Sequence, residues 1–220
     1  MSQVTLRLLR FTYKKLKENF TVSESKTLFH EHFPFVITGL YKRIVDEMLV
    51  ELNLLNNQRE FTLDPYFCVG LTETFNELTK SYEPQEHLES LFSALCKSTH
   101  FNVAEINEIS KKTIIDHQNK NLKDIFDLVV ENSSNKIYYS RVLMLGIYKI
   151  FASANDFKDN GDISKIKIIK EITEKLNLPL PRAEKDISMY KSTVNRIEQA
   201  QELLKETVLA DRKKREEKKK

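Results

Sequence analysis

Nowhere in these 220 residues do apolar and polar side chains alternate with period two for the length of a strand. Apolar residues return instead every three or four positions, in runs bounded by helix-start signatures. Thr21-Val-Ser-Glu24 is a capping box, in which hydroxyl and carboxylate each satisfy an orphan backbone amide. Asp64-Pro65 places an N-cap before a proline suited to the first helical turn; Glu83-Pro84 and Asn102-Val-Ala-Glu105 open two further runs. The pattern predicts helices from Thr21, over about 34–56 after Pro34, and from Asp64, Glu83 and Asn102. Others follow over about 121–131, 137–154 and 162–177. Four glycines and five prolines are too few for the many turns of a sandwich or barrel. The expected class is all-α: one multi-helix, bundle-like body over residues 21–178, preceded by a basic extension (1–20) and followed by a long, partly coiled-coil-like helix (182–220).

The stretch "LYKRIVDEMLVELNLL" (40–55) is the most apolar of these helices, and three readings compete for it: membrane anchor, carboxylate-lined metal helix, or core helix. At 100° per residue, Ile37, Leu40, Tyr41, Ile44, Val45, Met48, Leu52 and Leu55 share an arc of about 140°. Leu49, Val50 and Leu54 fall on the nominally polar side. A helix this apolar is expected to be covered from more than one direction, as a central helix is. Its charges exclude a spanning helix, and no stretch of the chain approaches the ~18–20 uncharged residues that one requires. A di-metal bundle needs Glu-x-x-His pairs, and the chain has none. Lys42 with Asp46 and Arg43 with Glu47 are spaced as surface ion pairs. The core reading stands.

Other chemistry fares no better. Cys68 and Cys96 lie in apolar runs with no metal spacing, which points to buried, reduced thiols. The histidines, His30, His32, His87, His100 and His117, sit mostly near helix ends, where capping or solvation accounts for them. "DFKDNGDISKIK" (156–167) has a calcium loop's glycine, but Lys158 and Lys167 stand where oxygen ligands belong. No glycine-rich phosphate loop is present. Neither catalytic, cofactor-binding nor metal-ligating residues emerge, and the expectation is a protein without cofactor and without enzymatic activity.

Charge gives the more useful signal. Residues 1–20 carry five basic groups and one acidic, and residues 211–220 seven and three. An overall +3, less +4 at each end, leaves the body at −5. Basic ends on an acidic body suit contact with an anionic membrane or an acidic protein rather than nucleic acid. In the last helix, Ile187, Tyr190, Val194, Ile197, Leu204 and Val208 fall at alternating intervals of three and four, with polar Gln201 at the missing step: a heptad seam. Either its first half packs on the body, or the part beyond about residue 200 protrudes as a docking arm. The seam, with Arg212, Lys213, Lys214 and Arg215 beyond it, is the candidate partner-binding surface. "PLP" before it reads as a hinge or domain edge.

Long motifs carry a resemblance. "TVSESKTLFHEHFPFVITGLYKRIVDEMLVELNLL" (21–55), "DPYFCVGLTETFNELTKSYEP" (64–84), "LFSALC" (91–96), "YSRVLMLGIY" (139–148) and "LNLPLPRAEKDISMYKSTVNRIEQAQELLKETVLADRKKREE" (176–217) resemble, in order, the thylakoid-formation family. These are photosystem II biogenesis proteins of cyanobacteria and chloroplasts. Ser81-Tyr82 stands where the family favours glycine before the tyrosine, and residues 1–20 have no counterpart. That extension is far shorter than a chloroplast transit peptide, which favours a cyanobacterial origin. The resemblance implies an all-helical, non-enzymatic accessory protein of photosystem II assembly and repair. It also implies a link to the membrane FtsH protease complex and a peripheral location on the cytoplasmic side of the thylakoid, with a soluble pool. Three other readings remain open: a nucleic-acid-binding regulator using the basic termini, a pigment or lipid carrier, and a structural scaffold without any protease link.

Overall fold

The computed structural model describes residues 20–133, 137–157 and 162–217, without the side chains of 162–165 and 211–217. The capping signatures act as written. Thr21 N donates to Glu24 Oε2 at 2.7 Å and Glu24 N to Thr21 Oγ1 at 3.2 Å, opening α1 (Val22–His32). After α2 (Gly39–Asn56), Asp64 accepts from Tyr66 N at 2.8 Å and starts α3 (Pro65–Leu78). A 3-10 turn at Gln85–His87 leads into α4 (Leu88–Ser98), and Asn102 Oδ1 caps α5 (Val103–His117) through Ala104 N and Glu105 N. The cap of α6 (Leu122–Asn132) comes from a distant residue: Asp156 Oδ1 accepts from Leu122 N at 2.8 Å. Ser140 Oγ accepts from Leu143 N to open α7 (Arg141–Ala152); α8 (Asp162–Lys175) and α9 (Leu180–Glu217) complete the chain. The described residues form nine α-helices and no strand, which is the all-α class the sequence predicts.

Two starts differ from the sequence reading. Helix α2 begins at Gly39, not near Pro34, and α7 at Arg141, not near 137. At the first, Phe33 is buried and Phe35 stacks on His87 with centroids 4.0 Å apart, which holds this stretch out of the helix until the Thr38 carbonyl accepts the first helical bond, from Lys42 N. At the second, the Ser140 hydroxyl fixes the boundary, because it supplies the acceptor that the first turn's amides lack. The "PLP" segment straddles the start of α9: Pro179 lies in the link after α8, and Leu180 begins the helix with Pro181 in its first turn, where a missing amide costs nothing.

The central helix is α3, not α2. Tyr66 through Thr72 are all buried, so the first two turns of α3 are covered on every side; the helix packs on α5, α7 and α9, with α7 its most extensive neighbour. The approach to α7 is backbone to backbone. A Cβ built on Gly70 would lie 1.9 Å from Val142 O, and one on Gly146 would lie 1.8 Å from Tyr66 O. Helix α2 packs chiefly on α1 and α4, and is also touched by α9, through Gln201 on Tyr41, and by α7, through Arg141 on Glu51. Leu49, assigned to the polar side by the helical wheel, is buried, whereas Leu54 is 51% exposed. Asn53, buried among these apolar side chains, donates to Ser25 Oγ at 2.8 Å and thereby ties α2 to α1.

Polar groups inside the body are used structurally. His117 is 2% exposed, so solvation does not account for it. With Thr113 O 2.7 Å from its Nδ1, the ring donates there, leaving Nε2 to face the Tyr66 hydroxyl at 3.3 Å. Cys68 and Cys96 are free and fully buried, and desolvation pushes both thiols up to about 12. Arg43 bonds Glu47 at 2.9 Å as its spacing predicted, while Asp46 lies 3.9 Å from Lys26 of α1. Within "DFKDNGDISKIK", Asp156 is spent on the α6 cap, and Lys158 lies outside the described residues.

Candidate docking surfaces

Two surfaces stand out, both involving α9. The first is the arm. Along the first six turns of α9, Ala183, Ile187, Tyr190 and Ile197 are buried and Val194 is partly so, packed against α7, α8 and α3. Lys149 of α7 strengthens this seam. It pairs with Glu77 and sits 5.1 Å from the centroid of Tyr190, and its partial burial lowers its pKa. Gln201 ends the packed region: its Nε2 donates to Tyr41 Oη at 2.7 Å and to the Ser81 carbonyl at 3.3 Å. From Glu202 to Ala210 every residue is exposed, including Leu203, Leu204, Val208 and Leu209. Residues 202–217 extend the helix by roughly 24 Å past that anchor.

The predicted seam is therefore divided. Ile187, Tyr190 and Ile197 face the body and are not exposed, because the same spacing that makes a coiled-coil stripe also makes an ordinary core contact. Leu204 and Val208 continue that stripe into solvent, at 54% and 52% exposure. Arg212, Lys213, Lys214 and Arg215 fall on the helix backbone but outside the described side chains. The sequence reading missed Leu203 and Leu209, which are off the seam, and Gln201, whose place at the missing heptad step was the available signal.

The second surface is a groove of about 980 Å³ along the outer side of α2. Val50 and Leu54 of α2 are among its apolar lining. Tyr138–Arg141 and, from α9, Arg182, Asp186 and Met189 complete the lining. Arg141 Nη2 and Nε donate to Glu51 Oε2 at 2.5 and 3.0 Å. A cation in the first turn of a helix opposes the dipole, so Arg141 is positioned by Glu51 rather than by α7. Tyr139 donates to Asp186 Oδ2 at 2.7 Å beneath the Arg182 guanidinium; burial first, and then this carboxylate, raises the phenol's pKa. The groove's ion pairs are internal and fix its walls. Among the described residues no cluster of His, Cys, Asp and Glu has the composition of a metal site, and no helix is long and apolar enough to cross a membrane.

This architecture has relatives. A family model described as thylakoid formation protein matches residues 21–219. Protein Thf1 of Prochlorococcus marinus subsp. pastoris is 58% identical over 198 residues, covering 90% of this chain and 98% of that protein. Protein Thf1 of Prochlorococcus marinus strain MIT 9312 is 56% identical over 199 residues, covering 90% and 99%. A solved structure of Psb29 superposes with a TM-score of 0.77 at 26% identity, over 89% of this chain and 98% of that one. The match takes in the whole helical body and the α9 arm, and it establishes that the chain belongs to the thylakoid formation protein family.

Proposed function

We propose that this protein serves thylakoid formation and photosystem II assembly and repair by contact rather than catalysis, docking the membrane FtsH protease complex through the α9 arm. One observation carries the reading: the stripe that packs α9 on the body continues past Gln201 as exposed Leu204 and Val208. An amphipathic helix that has left its own core offers an apolar face to a partner's groove. The basic run that follows, "DRKKREEKKK", suits an acidic rim or an anionic lipid surface, in keeping with a peripheral location on the cytoplasmic side of the thylakoid and a soluble pool. The candidate nucleophiles support a non-catalytic role, since both thiols are buried and protonated and His117 is occupied by Thr113 and Tyr66.

The test is recovery of the protease with this protein from solubilised thylakoids. Truncation after Glu202 keeps the Gln201 anchor and should abolish recovery, as should the pair Leu204→Glu and Val208→Glu. Unchanged recovery with a folded truncated protein defeats the arm as docking element.

A further inference from the structure

We propose that the loop between α1 and α2 is an apolar anchor, which seats Phe35 and Val36 in the interfacial layer of a lipid bilayer. Pro34, Phe35 and Val36 are exposed in succession, while Ile37 after them packs on the body. Val36 is 91% exposed, more than any other large apolar side chain among the described residues. A side chain open on nearly every side stands clear of the body. The loop that carries it is nonetheless held. Phe35 stacks on His87 with centroids 4.0 Å apart and meets Phe33 edge-on at 5.3 Å, and Phe33 is buried. These aromatic contacts fix the tip outward, where water opposes it, and a contiguous apolar patch kept in water marks a contact surface.

Size, charge and placement make lipid the occupant. The three exposed residues fall far short of the roughly 20–30 that each side of a stable protein interface contributes. A bilayer has no such requirement: it takes an isolated apolar tip, in proportion to the area withdrawn from water. Exposed Glu31, Lys42, Arg43, Glu83 and Glu86, which flank the loop and His87 in sequence, nearly cancel. Neither sign of partner is therefore selected, and the apolar tip itself drives the contact. Its position suits a membrane that the basic tail also meets. Gln201, where α9 leaves the body, bonds Tyr41 Oη, and Tyr41 stands three residues after Thr38 at the end of this loop. Tip and arm thus depart from the same end of the molecule. This inference rests on the peripheral location proposed above and not on the docking of a protease by the arm.

The chain has no tryptophan, so Val36→Trp in the full-length protein places a single fluorescent reporter at the tip. On phosphatidylcholine vesicles its emission should move to shorter wavelength and be quenched by brominated acyl chains. Both effects should persist at about 1 M salt, where charges are screened within ~3 Å. Val36→Glu, checked by circular dichroism for an unchanged fold, should float with these vesicles about tenfold less than the parent, since a carboxylate replaces the apolar tip. Emission unmoved by vesicles, or equal flotation of parent and Val36→Glu, overturns the proposal. If the parent then floats only with phosphatidylglycerol vesicles and salt releases it, the tail alone holds the membrane, and the peripheral location survives without the anchor. A reporter shielded in the absence of lipid as protein concentration rises overturns the proposal in favour of a second copy.

Discussion

Replacing Gly70 with alanine adds one methyl group at the place where α3 and α7 touch. In an isolated helix the change is favourable by about 1 kcal/mol, because glycine is the poorer helix former. Here the new Cβ would sit 1.9 Å from Val142 O and 2.8 Å from Gly146 N, both backbone atoms that no rotamer change can move. Ordinary carbon–oxygen contact begins near ~3.3 Å. The difference between 3.3 and 1.9 Å means that the helices must part locally by about 1.4 Å. Gaps of ~0.5–1 Å already forfeit a quarter to a half of each dispersion contact. Overpacking of this kind costs roughly 3 kcal/mol, and the helix-propensity gain offsets about one third, leaving a net loss of about 2 kcal/mol or more. For a domain of this size that lowers the melting temperature by about 4–8 °C. Gly146→Ala meets Tyr66 O at 1.8 Å and should behave alike, while the double variant should cost less than the two losses added, since helices already parted admit the second methyl. Gly39→Ala, with nothing within 4 Å, is the control and should not destabilise. The assay is thermal and urea unfolding followed by far-ultraviolet circular dichroism. If the Gly70 and Gly146 variants melt at or above the parent temperature, the backbone contact has been misread.

Two further outcomes follow from single residues. Burial raises the Asp64 carboxyl above its ordinary range despite the bonds it accepts from Tyr66 and Phe67 amides, so the native state holds that proton more tightly than the unfolded chain. Its contribution is full below the unfolded pKa and is lost as pH rises through the folded one; Asp64→Asn keeps the cap, so the stability of the parent minus that of the variant should fall with pH across the carboxylate range, and a rise would refute the reasoning. Gln201→Ala removes both bonds at the point where α9 leaves the body, and should cost about 1 kcal/mol while amide exchange quickens over 194–210; unchanged exchange there would show that the anchor is idle.

Local signals in the sequence carried the fold class and most helix starts. The Thr21–Glu24 box, the Asp64-Pro65 cap and the Asn102 cap are interactions within three residues, so they are legible without knowing what packs above them. What failed depended on distant partners. Helix α2 looked central because its wheel is crowded with apolar residues, yet Leu54 faces out, and the central place went to α3, whose two-sided burial rests on Gly70 meeting Gly146 of α7. The seam in α9 was visible, but not where the body ends. That boundary is set by Tyr41 and Ser81, which lie 160 and 120 residues before Gln201. The groove was invisible, because Arg141 and Glu51 are 90 residues apart and nothing in either neighbourhood announces the other.

Because one unbroken helix is both clasped by the body and carried beyond it, the tip is geared to the trunk. Each residue inserted after Gln201 would swing Leu204 and Val208 by about 100° around the axis, so the direction in which the arm presents its apolar edge is set by counting residues from a fixed hook. A flexible tether would forgive a change in length. This spindle converts it into a change of heading.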